Sequence, residues 1–247
     1  MLQDIKIILF DLDNTLFPFE FYWERATKET FYRFSLTKHL PFDEFFTYYQ
    51  HYDHYFWKLH HEGHISLDEV RQQRLIYALK HFDQHISMEE ADIYFREFFS
   101  YLIHLLKPDE EVNVFLRELK KTYKIGIITN GKASEQRSKL EKLCLYEVFT
   151  EEEIFISEET GFEKPQLEAF HLPLLQYGME HAQAVFVGDS WNNDVVGAIN
   201  AGMSAIWINP KCNKQPSEHK PLFVTENIMT LKDRWVSLQN AECRSLE

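Results

Sequence analysis

Residues 5–15 read IKIILFDLDNT, an apolar run from Ile5 to Phe10 that ends on two aspartates two positions apart, Asp11 and Asp13. A short, continuous apolar run that stops at polar residues is typical of a strand buried on both faces of a parallel sheet. The two aspartates would then stand at the carboxyl end of this strand, where open α/β sheets bind their ligands. If the backbone stays extended, both carboxylates leave the same side of the chain.

Four further apolar runs follow, and most of them end at polar residues or glycine. They cover residues 124–129, 154–157, 184–187 and 205–208. Between the runs, the spacing of apolar residues and the proline positions predict helices at 109–121, 134–143, 165–177 and 193–201. Strands that alternate with helices predict an α/β fold with a doubly wound, mostly parallel sheet.

The stretch 17–104 breaks this alternation. It lacks a buried-strand run, is rich in aromatic residues, and shows helical periodicity, for example at 95–102. We therefore predict an inserted all-helical cap domain at 17–104 and an α/β catalytic core formed by 1–16 and 105–247. Because the insertion directly follows the Asp11 loop, we expect it to lie over the carboxyl ends of the strands as a lid.

The composition excludes several classes of protein. The 26 Lys and Arg residues against 39 Asp and Glu give a net charge of -13, which would repel a polynucleotide, so we expect no nucleic-acid binding. No apolar run approaches the roughly 20 residues of a membrane span, and the start of the sequence lacks signal-peptide features. We predict a cytoplasmic protein without membrane contact. The cysteines, Cys144, Cys212 and Cys243, are three and scattered, which favours reduced, structural thiols.

The paired acids Asp11 and Asp13 suit phosphoryl transfer. A carboxylate held in line with phosphorus can attack it and form an acyl phosphate, which divides one difficult hydrolysis into two easier steps. A second carboxylate can protonate the leaving oxygen and then deprotonate water. The pair makes both jobs possible, but an Asp-x-Asp pair is common in turns, and only with the groups at the other strand ends does it predict a hydrolase of a small phosphorylated metabolite.

Other strand ends supply the remaining groups that such chemistry needs. Asp189 and Asp194 follow another predicted strand, and crowded carboxylates are unfavourable unless a cation joins them. Mg²⁺ prefers hard oxygen ligands and also neutralises charge on the transferred phosphoryl group. Donors for that group are offered by Thr129 and Asn130, where a strand gives way to a helix, and by Lys164 at a helix start.

In their order and spacing, these residues resemble the four motifs of the haloacid dehalogenase superfamily. The motifs correspond to Asp11-Leu12-Asp13-Asn14-Thr15, Thr129, Lys164, and Gly188-Asp189 with Asp194. The helical insertion resembles the C1-type cap of this superfamily. The stretches 126–131, 156–159 and 198–203 look most like its pyrimidine 5′-nucleotidase subgroup.

The resemblance implies a role for each motif residue. Asp11 would be the nucleophile and Asp13 the general acid and base, while Thr129 and Lys164 would hold the phosphoryl group. The residues implied for the Mg²⁺ site are Asp11, Asp13 through its backbone carbonyl, Asp189, and Asp194 as a ligand or directly behind one. The implied reaction is the Mg²⁺-dependent hydrolysis of small phosphomonoesters, with nucleoside 5′-monophosphates as a candidate substrate class.

Aromatic residues close behind the nucleophile loop are candidates for lining the substrate pocket, where a ring could stack on a flat group. They are Phe17, Phe19, Phe21, Tyr22 and Trp23.

Three alternative functions remain. A dehalogenase shares the fold, but such relatives usually lack an aspartate equivalent to Asp13. A phosphosugar phosphatase or mutase would keep both acids, yet mutases often carry Gly-Val where this chain has Asn14-Thr15. A catalytically idle binding module would recruit a partner through its aromatic cap. Turnover of a broad phosphate panel, with and without chelator, separates this module from an enzyme.

Overall fold

The computed structural model describes residues 4–244 and contains one six-stranded sheet. Its strands are β1 (Ile7–Phe10), β2 (Lys124–Thr129), β3 (Ile154–Ile156), β4 (Ala184–Gly188), β5 (Ser204–Ile208) and β6 (Phe223–Thr225). All neighbouring strands are parallel, in the order β3-β2-β1-β4-β5-β6. This is the strand order of a doubly wound α/β fold, whose topological switch point lies between β1 and β4. The predicted fold class is confirmed.

Helices lie between these strands and after the last of them. They are α1 (Phe19–Arg33), α2 (Phe42–His61), α3 (Leu67–Lys80), α4 (Met88–Leu105), α5 (Glu110–Lys120), α6 (Ala133–Lys142), α7 (Ser157–Thr160), α8 (Leu167–Tyr177), α9 (Gly197–Asn200) and α10 (Ile228–Arg244). The sheet core is apolar on both faces, since every residue of β1 and β4 is buried. Phe186 of β4 packs edge to face against Phe170 of α8, with ring centroids 5.2 Å apart.

The chain divides into two compact units. The α/β unit takes in the chain up to Phe19 and again from Lys107, and the helical unit is Glu20–Leu106. The prediction of a cap domain at 17–104 and a catalytic core at 1–16 and 105–247 stays a prediction. Within the described part of the chain, no helix has the length and apolar character that crossing a bilayer requires.

The helical unit is held by aromatic packing and by two capped helices. α2 packs against α3, and α3 against α4. Ser66 and Ser87 each begin a helix with a capping box, in which the hydroxyl accepts from the backbone N–H of a glutamate three residues on. The glutamate carboxylate in turn accepts from the serine backbone N–H. These caps fix where α3 and α4 begin.

Two sequence expectations differ from the structure. The predicted helix at 193–201 is a π-helix, Trp191–Val196, followed by the short α9. The backbone N–H of Val195 donates to Ser190 O, five residues back, and this wider turn lies next to the predicted acidic site. Strand β6 was not predicted, because it has three residues at the sheet edge and alternates buried and exposed positions.

The cysteines that the structure describes are consistent with free thiols. Cys144 and Cys212 are both free cysteines. The side chain of Cys243 lies outside the described residues.

Candidate active site

The predicted site residues stand at the carboxyl ends of adjacent strands. Asp11 follows β1, Thr129 ends β2, and Asp189 follows β4. The backbone N–H of Asp11 donates to Val187 O at 2.9 Å, which extends the pairing of β1 with β4 up to the nucleophile candidate. Because the strand order reverses at this place, these side chains gather where doubly wound sheets bind ligands.

Lys164 joins two of the acids. Its Nζ donates to Asp11 Oδ1 at 2.6 Å and to Asp194 Oδ1 at 2.7 Å, and the residue is only 2% exposed. Asn130 fixes the lysine backbone, because its side-chain amide accepts from Lys164 N at 2.9 Å and donates to Lys164 O at 2.8 Å. The Asn130 side chain is thereby engaged, so its predicted contact with phosphate would have to come from its backbone N–H.

Asp11, Asp189 and Asp194 form a compact acidic group. Each offers one carboxylate oxygen, and these three oxygens lie within 4.8 Å of one another. Asp194 is held in place by the backbone N–H of Ser190, which donates to its Oδ2 at 2.8 Å. A Cβ atom on Gly188 would overlap the Asp194 carboxyl group, so only glycine leaves room for this arrangement.

The electrostatics of this group favour a bound cation. Burial, together with the charges of Asp194 and Asp13, raises the pKa of Asp11 to about 7 despite Lys164 nearby. Burial and the neighbouring Asp194 and Asp11 raise the pKa of Asp189 to about 9. Burial alone would lower the pKa of Lys164, but the two carboxylates outweigh it and raise that pKa. One ammonium group therefore does not balance the acids, and a set of hard oxygen donors with excess negative charge fits Mg²⁺.

The Asp13 carboxylate has partners of its own. Lys139 Nζ donates to its two oxygens at 2.8 and 2.7 Å, and Gln136 Nε2 donates to Oδ2 at 3.2 Å. The carboxylate of Asp13 is not one of the three oxygen donors grouped above. The prediction that Asp13 contributes its backbone carbonyl to the metal site stays a prediction.

The hydroxyl of Thr129 is oriented by a hydrogen bond that it accepts. Gln136 Nε2 donates to Thr129 Oγ1 at 2.6 Å and to Asn130 O at 2.8 Å. Since Oγ1 acts as an acceptor in this bond, its own hydrogen can be donated to a ligand oxygen. This orientation suits the phosphate-binding role predicted for Thr129.

Gln136 and Lys139 were missed in the sequence, although a signal was present. With Leu140 and Leu143 they occupy positions i, i+3, i+4 and i+7 of one helical face. All four are buried, so two polar side chains lie on the inner face of the segment that begins with α6. Polar residues within an apolar stripe are unfavourable unless they have buried partners, and here the partners are Asp13 and Thr129.

Two of the predicted pocket aromatics belong to the α/β unit. Phe17 is buried, and its ring meets that of Phe19 edge to face with centroids 6.2 Å apart. Lys139 Nζ lies 4.5 Å from the centroid of the Phe19 ring. Phe19 is thus in contact with the lysine that binds Asp13.

The other three aromatics belong to the helical unit. The ring of Trp23 stacks on that of Tyr49 with centroids 5.7 Å apart, and Phe21 and Tyr22 meet edge to face at 5.3 Å. Phe21 is 54% exposed, whereas Trp23 is partly buried among other rings of this unit. A role in substrate binding stays a prediction for all three.

The chain is similar to known proteins both in sequence and in structure. Residues 8–208 match the family model described as haloacid dehalogenase-like hydrolase. The chain is 27% identical to pyrimidine 5′-nucleotidase YjjG of Escherichia coli, over 91% of this chain and 95% of that protein. It is 38% identical to a glyceraldehyde 3-phosphate phosphatase of Methanothermobacter thermautotrophicus, over 47% of this chain but only half, 50%, of that relative.

Solved structures give the same picture of the fold. The HAD-hydrolase YfnB of Bacillus subtilis, solved bound to magnesium, superposes with a TM-score of 0.80 at 23% identity. The match covers 93% of this chain and 98% of that one.

Proposed function

Because the chain belongs to the haloacid dehalogenase-like hydrolases, we propose that it is a magnesium-dependent phosphatase of small phosphomonoesters that works through an aspartyl phosphate on Asp11. The observation that carries this proposal is the buried group of Asp11, Asp189 and Asp194 around Lys164. Such a group combines a nucleophile, a cation site and a donor to phosphoryl oxygens at the carboxyl ends of the strands.

The first half of the reaction transfers the phosphoryl group to the protein. Lys164 binds Oδ1 of Asp11, so we assign Oδ2 to the attack on phosphorus. As the new bond forms and the bond to the leaving oxygen breaks, the carboxylic acid of Asp13 gives its proton to that oxygen. Lys164 and the Thr129 hydroxyl donate to the phosphoryl oxygens and hold them in line.

The second half returns the protein to its starting state. The Asp13 carboxylate removes a proton from water, and the resulting hydroxide attacks phosphorus of the aspartyl phosphate. Inorganic phosphate leaves, Asp11 is regenerated, and Asp13 again carries a proton for the next substrate. Bound Mg²⁺ would neutralise phosphoryl charge throughout, and Asp11, Asp189 and Asp194 would hold it with the backbone carbonyl of Asp13.

Asp13 is the residue that favours phosphate chemistry over dehalogenation. Displacement of halide needs no proton on the leaving group, whereas an alkoxide leaves phosphorus slowly unless it is protonated. Asp13 lies two residues after Asp11, in the turn that Leu12 O closes with the backbone N–H of Leu16, and its carboxylate accepts from Gln136 and Lys139. An oriented acid of this kind has a purpose in phosphomonoester hydrolysis.

Nucleoside 5′-monophosphates of the pyrimidines are the first substrate candidates. The similarity to the nucleotidase YjjG extends over 91% of the chain and so includes the helical unit. The glyceraldehyde 3-phosphate phosphatase of Methanothermobacter thermautotrophicus matches 47% of the chain, but that of Methanopyrus kandleri is 30% identical over 83% of it, so glyceraldehyde 3-phosphate is the second candidate. Because caps choose the leaving group in enzymes with an inserted lid, relatives that match across both units are the better guides. The resemblance of 126–131, 156–159 and 198–203 to the nucleotidase subgroup is the reason to test nucleotides first.

The test is phosphate release by the purified protein from a panel of phosphomonoesters. The panel contains pyrimidine and purine 5′-nucleotides, glyceraldehyde 3-phosphate, hexose phosphates and p-nitrophenyl phosphate, each with Mg²⁺ and with chelator. We expect Mg²⁺-dependent release with the highest kcat/KM on UMP or CMP. Release of chloride from 2-chloropropionate without phosphate release would contradict the proposal, and so would inactivity on the whole panel.

A further inference from the structure

A second lysine is buried near the site, and the mechanism described above does not use it. Lys139 is only 5% exposed, and its Nζ is 2.7 and 2.8 Å from the two oxygens of Asp13. The same Nζ lies 4.5 Å from the centroid of the Phe19 ring. Lys139 therefore donates to both carboxylate oxygens of Asp13, the predicted acid and base, and its ammonium group also contacts the ring of Phe19.

Gln136, one helical turn before Lys139, connects Asp13 to the phosphate-binding candidates. Its Nε2 lies within hydrogen-bond distance of Asp13 Oδ2, Thr129 Oγ1 and Asn130 O. The amide is 2% exposed, and its Oε1 is buried with no hydrogen-bond partner among the described residues. Gln136 is thus fixed by acceptors from two different strand ends.

Stability alone does not account for these two polar residues. A buried ion pair is generally no more stabilising than apolar residues of similar volume, because desolvation of the charges offsets their attraction. The neighbouring positions on this face, Leu140 and Leu143, show that apolar residues fit there. An unpartnered Gln136 Oε1 adds a further penalty.

Both contacts suit a carboxyl group that must transfer a proton in a fixed direction. A free aspartate rotates about two side-chain bonds, and donors from two residues restrict it to one orientation. Negative charge develops on Asp13 as its proton passes to the leaving oxygen. An ammonium group in contact with both oxygens stabilises this charge more in the transition state than in the ground state, which accelerates the step.

We propose that Lys139, supported by Gln136, is a positioning residue for proton transfer by Asp13 to the leaving oxygen. The inference rests on the proposed phosphatase function and adds two residues outside the four motifs. It assigns them to one step, the departure of the leaving group. The hydrolysis rate of substrates whose leaving group departs without protonation should therefore depend little on Lys139.

The experiment compares one phosphate group on two leaving groups. The variant Lys139→Met keeps the length of the side chain, and kcat/KM is measured on p-nitrophenyl phosphate and on the best alkyl phosphate, such as a 5′-nucleotide. We expect a loss of about 10²-fold on the alkyl phosphate and a loss several times smaller on the aryl phosphate. Lys142→Met is the matched control, since Lys142 is exposed on the same helix, and both rates should stay at the wild-type level.

Three further variants separate positioning from folding. Lys139→Arg keeps a cation that can contact both oxygens and should recover part of the alkyl-phosphate rate, whereas Lys139→Gln should not. In an Asp13→Asn background, Lys139→Met should change kcat/KM little, because the group it positions is already lost. Thermal unfolding shows that each variant is folded at the assay temperature.

Equal losses on both leaving groups would overturn the inference, and so would additive losses with Asp13→Asn. The phosphatase function would stand in both cases. A wild-type protein that hydrolyses neither substrate with Mg²⁺ would overturn the proposed function and this inference with it.

Discussion

Both units of the molecule bury cations that are paired with carboxylates, and Lys164 of the α/β unit is balanced differently from Arg74 of the helical unit. In the α/β unit, Lys164 contacts the carboxylates of Asp11 and Asp194. In the helical unit, Arg74 contacts one carboxylate, Asp53, at 2.5 Å. Its guanidinium carbon otherwise faces aromatic rings, with centroids 4.9 to 6.0 Å away. These rings belong to Tyr49, Trp23 and Phe98.

The contrast separates the candidate active site from a structural ion pair. Around Lys164 the acids outnumber the cation, and burial raises the pKa of Asp11 to about 7 and of Asp189 to about 9. Around Arg74 one charge faces one charge, and ring faces complete the solvation of the guanidinium group. Loss of a charge should therefore impair catalysis in the α/β unit and stability in the helical unit.

The largest effect is expected for Asp11→Asn. The variant lacks the nucleophile, so kcat for Mg²⁺-dependent phosphate release should fall by about 10⁴-fold or more. Its melting temperature without Mg²⁺ should be no lower than that of the wild type, because one of three crowded carboxylates has become neutral. Residual activity within tenfold of the wild type would contradict the covalent mechanism.

Removal of Mg²⁺ should come next. Chelation should lower the rate of phosphate release by at least about 10²-fold. In the absence of substrate, Mg²⁺ at about 100 times its Kd should stabilise the fold by about 2.7 kcal/mol. Thermal unfolding with and without the ion measures this, and Asp189→Asn should weaken the shift while Asp53→Asn leaves it intact. A shift that survives in Asp189→Asn would place the cation elsewhere.

The counterpart in the helical unit is Asp53→Asn. It leaves Arg74 buried without its carboxylate, which should lower the free energy of unfolding by about 3 kcal/mol. Hydrolysis of p-nitrophenyl phosphate well below the melting temperature should remain near the wild-type rate. The control is Glu29→Gln, which breaks the exposed Arg33–Glu29 pair of the same unit and should change stability by less than about 0.5 kcal/mol. If Asp53→Asn and Glu29→Gln lowered the free energy of unfolding equally, the burial of the Arg74–Asp53 pair would add nothing to the effect of breaking it.

The smallest effect is expected for Ser87→Ala. It removes the hydroxyl that caps α4 and should destabilise the protein by about 1 kcal/mol. Denaturant unfolding can resolve this difference, with Ser100→Ala at an exposed position of the same helix as the control. Ser87→Ala changes no charge, so its loss of unfolding free energy gives the cost of one lost cap in this unit. The loss in Asp53→Asn, which breaks the buried ion pair, can be compared with it. A larger loss for Ser87→Ala than for Asp53→Asn would reverse the proposed ranking.

The sheet could be predicted largely from sequence because its strands are buried on both faces. Such strands appear as continuous apolar runs, and β1, β2 and β4 lie where those runs are. Strand β6 has only one exposed residue between two buried ones, which is too short a pattern to distinguish from a loop. The π-helix at Trp191–Val196 likewise has no signal in the spacing of apolar residues.

The site was predictable where its residues follow strands and not where tertiary contacts place them. Asp11, Thr129 and Asp189 could be located because the ends of parallel strands meet at one edge. Lys139 contacts Asp13 across more than half the chain, and no local pattern reports such a pairing. The pairing could be suspected only from the position of a lysine on an apolar helical face.

The position of β1 in the sheet also has a consequence for the order in which the protein folds as it is synthesised. Ile7 pairs with Lys124 on one side and with Ala184 on the other, so β1 has no neighbour in the sheet until much later segments have been synthesised. The helical unit Glu20–Leu106 is compact, and within it α2 contacts α3 and α3 contacts α4, so its contacts join segments close in sequence. We expect the helical unit to form before β1 has both of its neighbours, so that Asp11, the proposed nucleophile, reaches its position only after β4 has been synthesised.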